Sequence, residues 1–199
     1  MENQDISAVI AALEQAAAQG NAEAAYRLGL IYGNGDGTPL DYPKAAARFR
    51  QAAEAGHGAA MRALAMLHAA GYGVAQDQGE TRRLLLGAAE AGDADAQVAV
   101  AAMFQFGQYG AEPDTRAMLH WYGQAAEQGN ARAQFALGKL MAAGDRVQQN
   151  NEAAFQWLSL AILHGSEPAK KELAMLTARL DSALVETYKQ RMLEHMQGG

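Results

Sequence analysis

Five histidines, 22 acidic residues and several glycine-rich segments are the groups from which this 199-residue chain would have to assemble a catalytic or metal site. His57, His68, His120, His164 and His195 contain no HExxH motif and no i, i+4 pair, so no helix face presents two imidazoles to one zinc ion. Glu54, Glu90 and Glu127 would suit paired-carboxylate acid–base work if they converged. Each stands at the same place in a recurring unit, which spreads them along one solvated side. Gly33-Asn34-Gly35-Asp36-Gly37 and Gly71-Tyr72-Gly73 resemble phosphate loops, but they follow helical patterns and precede no Lys-Ser or Lys-Thr. They read as turns that need positive φ. None of Ser7, Ser159, Ser166 and Ser182 has a lysine three residues on, which removes the S-x-x-K arrangement for acyl transfer. Cysteine is absent, so there is no thiolate nucleophile, thiolate metal site or disulfide. No catalytic residue, metal ligand or cofactor is assigned.

The net charge of −6 and pI near 5.3 give no general attraction to phosphate backbones, so nucleic acid is not expected as a partner. The start, Met1-Glu2-Asn3-Gln4-Asp5, is acidic and lacks the basic and apolar segments of a secretory signal. No apolar run approaches the roughly 18 residues that a bilayer requires, so membrane insertion is not expected. As written the chain is expected to be cytoplasmic, or periplasmic or secreted if a leader has been removed.

What positions the side chains is a repeat. Ala88-Ala89-Glu90-Ala91-Gly92 has near-copies at Ala52 to Gly56 and Ala125 to Gly129 and weaker forms ending at Gly20 and Gly165. These glycines are 36, 36, 37 and 36 residues apart, the period of a solenoid built from one supersecondary unit. Fifteen residues before each stands Asp5, Asp41, Asp77, Asp114 or Asn150, side chains that cap a helix start; each opens a helix B that runs to its glycine. A helix A follows. Its positions 4, 8 and 11 past the glycine hold Ala24, Ala60, Ala96, Ala133 and Ala169, then Leu28, Leu64, Val100, Leu137 and Leu173, then Ile31, Leu67, Met103, Leu140 and Leu176. That spacing is one buried stripe of a 3.6-residue helix. Helix A is expected to end near Gly35, Gly71, Gly107 and Gly144, and the extra residue of the 37-residue unit falls in the loop Gln108 to Pro113. Inside a helix it would rotate the stripe by about 100°.

The in-phase pattern AAEAG…A…LG, a Gly-rich connection, then D…A…WY..AAE.G resembles the Sel1-like repeat family. It is carried by Tyr26-Arg27-Leu28-Gly29, Gly71-Tyr72-Gly73-Val74, Trp121 to Gly129 and Phe135-Ala136-Leu137-Gly138. The resemblance implies an all-α, right-handed α/α superhelical solenoid of tetratricopeptide-like helix pairs, about eleven helices in all, with A helices lining a concave surface. The expected organisation is a tail at 1–4, a solenoid at 5–180 with phases near 5–40, 41–76, 77–113, 114–149 and 150–180, and a terminal helix and tail at 181–199. In that helix Leu184, Val185, Tyr188, Met192 and Met196 form the apolar side; it caps the core or serves dimerisation. Arg146, where other loops have Gly37, Gly73 or Gly110, predicts a different last turn. Trp121 and Trp157 are read as core, His68 as packing, and His57 and His164 as turn or helix-end residues.

Function then belongs to the columns of helix A whose chemistry varies. These give a candidate groove of Tyr26, Leu30, Asn34, Arg62, Met66, Asp95, Val98, Phe106, Arg132, Phe135, Lys139, Lys171, Met175 and Arg179. Aromatic and Met anchors interleaved with charge suit a protein or peptide partner. The basic residues Arg132, Lys139, Lys171 and Arg179 lie late in the chain, so an acidic segment of the partner is expected there. The first functional reading is a non-enzymatic scaffold or adaptor. The others are an immunity protein neutralising a secreted toxin and, as a remote alternative, a β-lactamase-like enzyme, whose cysteine spacing is absent.

Overall fold

A computed structural model describes the backbone from Glu2 to Gln197 and the side chains from Ile6 to Glu194. Met196, His195, Met1 and the tail glycines Gly198 and Gly199 lie outside these described side chains. The described chain is entirely helical, with eleven helices and no strand. It divides between Glu112 and Pro113 into two compact units. That boundary falls in the loop that carries the extra residue.

The first unit holds α1 (Glu2–Ala18), α2 (Ala22–Asn34), α3 (Tyr42–Glu54), α4 (Gly58–Ala70), α5 (Gln78–Glu90) and α6 (Ala94–Phe106). The second holds α7 (Thr115–Glu127), α8 (Ala131–Ala143), α9 (Asn151–Leu163), α10 (Glu167–Thr177) and α11 (Ser182–Gln197). Odd-numbered helices are of type B and even-numbered ones of type A. Four expected caps form: Asp41 accepts the Lys44 N–H at 2.9 Å, Asp77 that of Glu80 at 2.9 Å, Asp114 that of Ala117 at 3.0 Å and Asn150 that of Ala153 at 3.0 Å. The fifth does not. Helix α1 extends back to Glu2, so residues 2–4 are helix rather than tail and Asp5 lies inside the first turns. An acidic residue within the first turns suits the positive end of the helix dipole, so the helix runs through Asp5 instead of starting after it.

The 4, 8, 11 stripe is the core. Ala24, Leu28, Ala60, Leu64, Ala96, Val100 and Met103 are buried in the first unit, as are Ala133, Leu137, Leu140, Ala169 and Leu176 in the second. Toward the chain ends it opens, with Ile31 and Leu173 half-buried. The small column beside it sets helix spacing: a Cβ on Gly29 would lie 2.4 Å from the Phe49 ring, so α2 and α3 can approach this closely only without one. Trp121 and Trp157 are half-buried rather than core; the next residue in each case, Tyr122 or Leu158, takes the buried place held by Phe49 and Leu85 in the first unit. One step along a helix is about 100°, enough to swing the indole from the core to its margin.

The A-to-B loops share a left-handed residue two past the helix-ending glycine: Gly37 (φ 70°), Gly73 (φ 68°), Tyr109 (φ 52°) and Arg146 (φ 63°). The expectation of a different last turn is therefore overturned, because Arg146 adopts the same conformation at a cost of about 1 kcal/mol. Gly73 has a further constraint. A Cβ there would meet the Tyr42 carbonyl carbon at 2.4 Å and Pro43 N at 2.5 Å, since the loop lies directly on the start of α3. The exposed Tyr72 ring stacks on Tyr42 at 5.0 Å. His68 secures this loop, its Nδ1 lying 3.1 Å from the Ala75 carbonyl, instead of simply packing.

Helix α11 rests on α9. Tyr188 is buried with its ring 5.9 Å from that of Phe155, Val185 and Met192 pack on the same cluster, and Arg191 donates to both Glu152 oxygens at 2.9 Å. Leu184, expected on the apolar side, is instead exposed.

Candidate functional site

Thirteen of the fourteen candidate groove residues sit on A helices and Arg179 lies in the turn after α10; all are at least partly exposed. In the first unit the stripe on α2, α4 and α6 buries Leu28, Leu64 and Val100, which turns Leu30, Met66 and Phe106 outward. Met66 is 62% exposed and Phe106 64%. A thioether and a phenyl ring left in water at these levels are the strongest apolar features of this face. Leu30 and Val98 are half-buried beside them.

The charged candidates of the first unit, Tyr26 and Asn34 are engaged in the fold. Arg62 Nε donates to Asp93 Oδ1 at 2.8 Å, with Nη2 3.8 Å from Asp95 Oδ2. Asp93 also accepts the Ala96 N–H at 2.7 Å, so this ion pair ties α4 to the start of α6. The Tyr26 ring stacks on His57 at 4.7 Å and tilts against Phe49 at 5.9 Å. Asn34 donates to Asp36 Oδ2 at 3.1 Å.

His57 is more than a turn residue. Its Nδ1 accepts the Ala60 N–H at 3.2 Å and caps α4, so the neutral ring carries its proton on Nε2 and donates to Glu23 Oε2 at 3.1 Å. That bond, followed by the one from Arg27 at 2.6 Å, holds the Glu23 carboxyl below its ordinary value near 4.5. Asn21, Asp93 and Asn130 cap their A helices in the same way. Sequence reasoning missed this second row of caps, although all four residues directly follow a repeat glycine and three are strong N-cap types.

In the second unit α8 and α10 present Arg132, Phe135, Lys139, Lys171 and Met175, with Arg179 in the turn that follows α10. Phe135 is half-buried and packs on the core cluster of Phe155 and Leu158. Lys139 and Lys171 are exposed and make no ion pair or hydrogen bond with any described residue. Lys170, one residue away, is neutralised by Glu167 at 2.6 Å. Arg179 donates only to the Met175 carbonyl, at 3.2 Å, which leaves its charge uncompensated, and Met175 is 49% exposed. His164 lies 2.8 Å from Gln134 Oε1; Gln134 Nε2 is spent on the Ala126 carbonyl at 3.0 Å, so the imidazole is the donor. It braces a helix end.

Among the described residues no three His, Asp or Glu side chains gather to hold a metal ion. No described helix is long and apolar enough to cross a membrane. The arrangement offers apolar anchors in one unit and uncompensated cations in the other, which is binding chemistry.

The Sel1 repeat family model matches four successive stretches, residues 22–57, 58–93, 94–130 and 131–166. Each begins with an A helix. Among solved structures, a Sel1 repeat protein from Oxalobacter formigenes is 29% identical with a TM-score of 0.78, over 94% of this chain and 78% of its own. A protective antigen present in uropathogenic Escherichia coli strains, displaying an SLR fold, is 32% identical with a TM-score of 0.76 over 82% of this chain. The match spans only 35% of the antigen's length. A Sel1 repeat protein from Klebsiella pneumoniae, 22% identical with a TM-score of 0.50 over 84% of this chain and 99% of its own, shares the fold.

Proposed function

Since this chain belongs to the Sel1 repeat family, whose members are commonly protein-interaction scaffolds, we propose that it is a non-enzymatic adaptor whose A-helix faces bind segments of a partner protein. The observation that carries this reading is the state of Lys139 and Lys171: two exposed ammonium groups with no ion-pair partner among the described residues, on a chain whose net charge is −6. Ammonium groups left uncompensated on one face favour an acidic segment and speed its encounter. On the first unit's face, Met66 and Phe106 supply apolar anchors for the partner's own apolar side chains.

The test uses the partner recovered from the native cell. The double variant Lys139→Glu, Lys171→Glu weakens its affinity roughly tenfold and reduces the salt dependence of binding, with the thermal transition unmoved. Unchanged affinity removes the proposal.

A further inference from the structure

Helices α1, α3, α5, α7 and α9 end alike. The carbonyls of Ala17, Ala53, Ala89, Ala126 and Ile162 each accept the N–H of the repeat glycine three residues on, at 3.0 Å. A carbonyl oxygen has two lone pairs, so each can accept another donor. At three of the five a glutamine amide supplies it: Gln51 Nε2 reaches Ala17 at 2.8 Å, Gln97 reaches Ala89 at 3.1 Å and Gln134 reaches Ala126 at 3.0 Å. The donor comes from one of two columns, five residues before the next repeat glycine (Gln51) or five after the helix's own (Gln97 and Gln134). For Ile162 the column five residues after its glycine holds Lys170, whose ammonium is paired with Glu167; for Ala53 the two columns hold Gly87 and Met61, and neither can donate from a side chain.

The three residues at this gap, Ala53, Met61 and Gly87, line a single cleft of about 220 Å³ between α3, α4 and α5. Leu64 and Leu84 add an apolar floor. The charged residues at the cleft cancel formally, Arg50 and Arg83 against Glu54 and Glu80, with Arg83 and Glu80 already paired at 2.7 and 2.8 Å. Neither an anion nor a cation is selected. Nor does the fold require glycine at 87. Gly87 lies inside α5 without positive φ, and a Cβ there would meet only the movable Met61 sulfur, at 3.3 Å. A mid-helix glycine weakens the helix relative to glutamine, so what its absence of a side chain provides is the cleft itself.

We propose that this cleft binds a glutamine side chain of a partner polypeptide, whose primary amide donates to the Ala53 carbonyl as Gln51, Gln97 and Gln134 do to the equivalent carbonyls. Its methylene stem packs on Leu64, Leu84 and Met61. The site lies on the B-helix side and does not rest on the reading of the A-helix face.

Butyramide, which reproduces the glutamine side chain, is titrated into the full-length protein while the Gly87 amide and Met61 methyl resonances are followed. Saturable shifts are expected, with methyl butyrate, an ester of similar shape lacking N–H, binding about three- to tenfold more weakly. Gly87→Gln places the missing donor in cis: it abolishes the response and raises the melting temperature. Gly87→Ala improves the helix without supplying a donor and keeps the response. Equal binding of amide and ester reduces the cleft to an apolar hollow and overturns the proposal. So do an absent saturable shift or an undiminished response in Gly87→Gln.

Discussion

The A-helix faces of the two units use charge in opposite ways. In Met1–Glu112 the charged groups named above are paired within the fold: Arg62 ties α4 to the cap of α6 through Asp93, and Glu23 is claimed by Arg27 and His57. The exposed groups that this face leaves without such a bond are apolar, chiefly Met66 and Phe106. In Pro113–Gly199 the equivalent helices begin at the neutral caps Asn130 and Ser166, so no acidic cap draws a cation inward. Lys139 and Lys171 keep their charge for solvent or a partner. At α6, the one A helix with an Asp cap, that charge is satisfied internally because Arg62 of the preceding repeat reaches it.

The largest effect expected separates the loops of the two units. Gly73→Ala costs about 3 kcal/mol or more, since both its positive φ and a backbone contact at 2.4 Å oppose a Cβ. Arg146→Gly, at the matching place in the second unit, relieves the positive φ while giving up the interaction Arg146 makes, and changes stability by no more than about 1 kcal/mol. Urea denaturation of both variants checks this, and similar costs would show that the loops are equivalent.

Next comes the internal ion pair. Asp93→Ala removes a cap and the Arg62 partner together and is expected to cost about 1–2 kcal/mol. Lys139→Ala, which breaks no such bond, stays within about 0.5 kcal/mol of wild type. Binding should divide the other way. Met66→Ala with Phe106→Ala lowers partner affinity roughly tenfold without altering its salt dependence, whereas the Lys139 and Lys171 reversals alter both. If the two variants gave one salt profile, the contrast between the faces would have no functional meaning.

The smallest effect is in pH. The Glu23 carboxyl is lowered by its bonds from His57 and Arg27, and that of Glu80 by its bond from Arg83. A depressed carboxylate stabilises the fold fully above its unfolded value, near 4.5, and that stabilisation is lost as pH falls through the lower folded value. Both pairs are partly exposed, so screening limits each to about 0.5 kcal/mol. Glu23→Gln with Glu80→Gln should flatten the decline in urea midpoint between about pH 5 and pH 3. Lys139→Gln with Lys171→Gln should leave it unaltered.

Much of this was legible in the residues. A 36-residue period, four of the five B-helix caps, the glycine that ends each A helix through Gly144, and the 4, 8, 11 stripe all follow from local rules that hold wherever a helix starts, stops and buries one side. The columns also identified residues that face outward, because helical phase decides exposure whatever the neighbouring repeat. Phase alone could not say which outward charge is already spent. Arg62 and Lys139 are both cations on exposed columns; only the approach of Asp93 across a helix boundary distinguishes them. Trp121 and Trp157 failed for a related reason, since a column fixes an angle and a residue beside the stripe sits at its margin.

From the sequence alone came the repeat, its helix limits and its buried rows, because those depend on contacts a few residues apart and on one periodicity. Tertiary structure alone decided the bond between Arg62 and Asp93, the loop seated on Tyr42 and Pro43, and the cleft where Ala53 lacks a glutamine. Each joins side chains about 30 residues apart, and at that range neither residue type nor spacing specifies which donor reaches which acceptor.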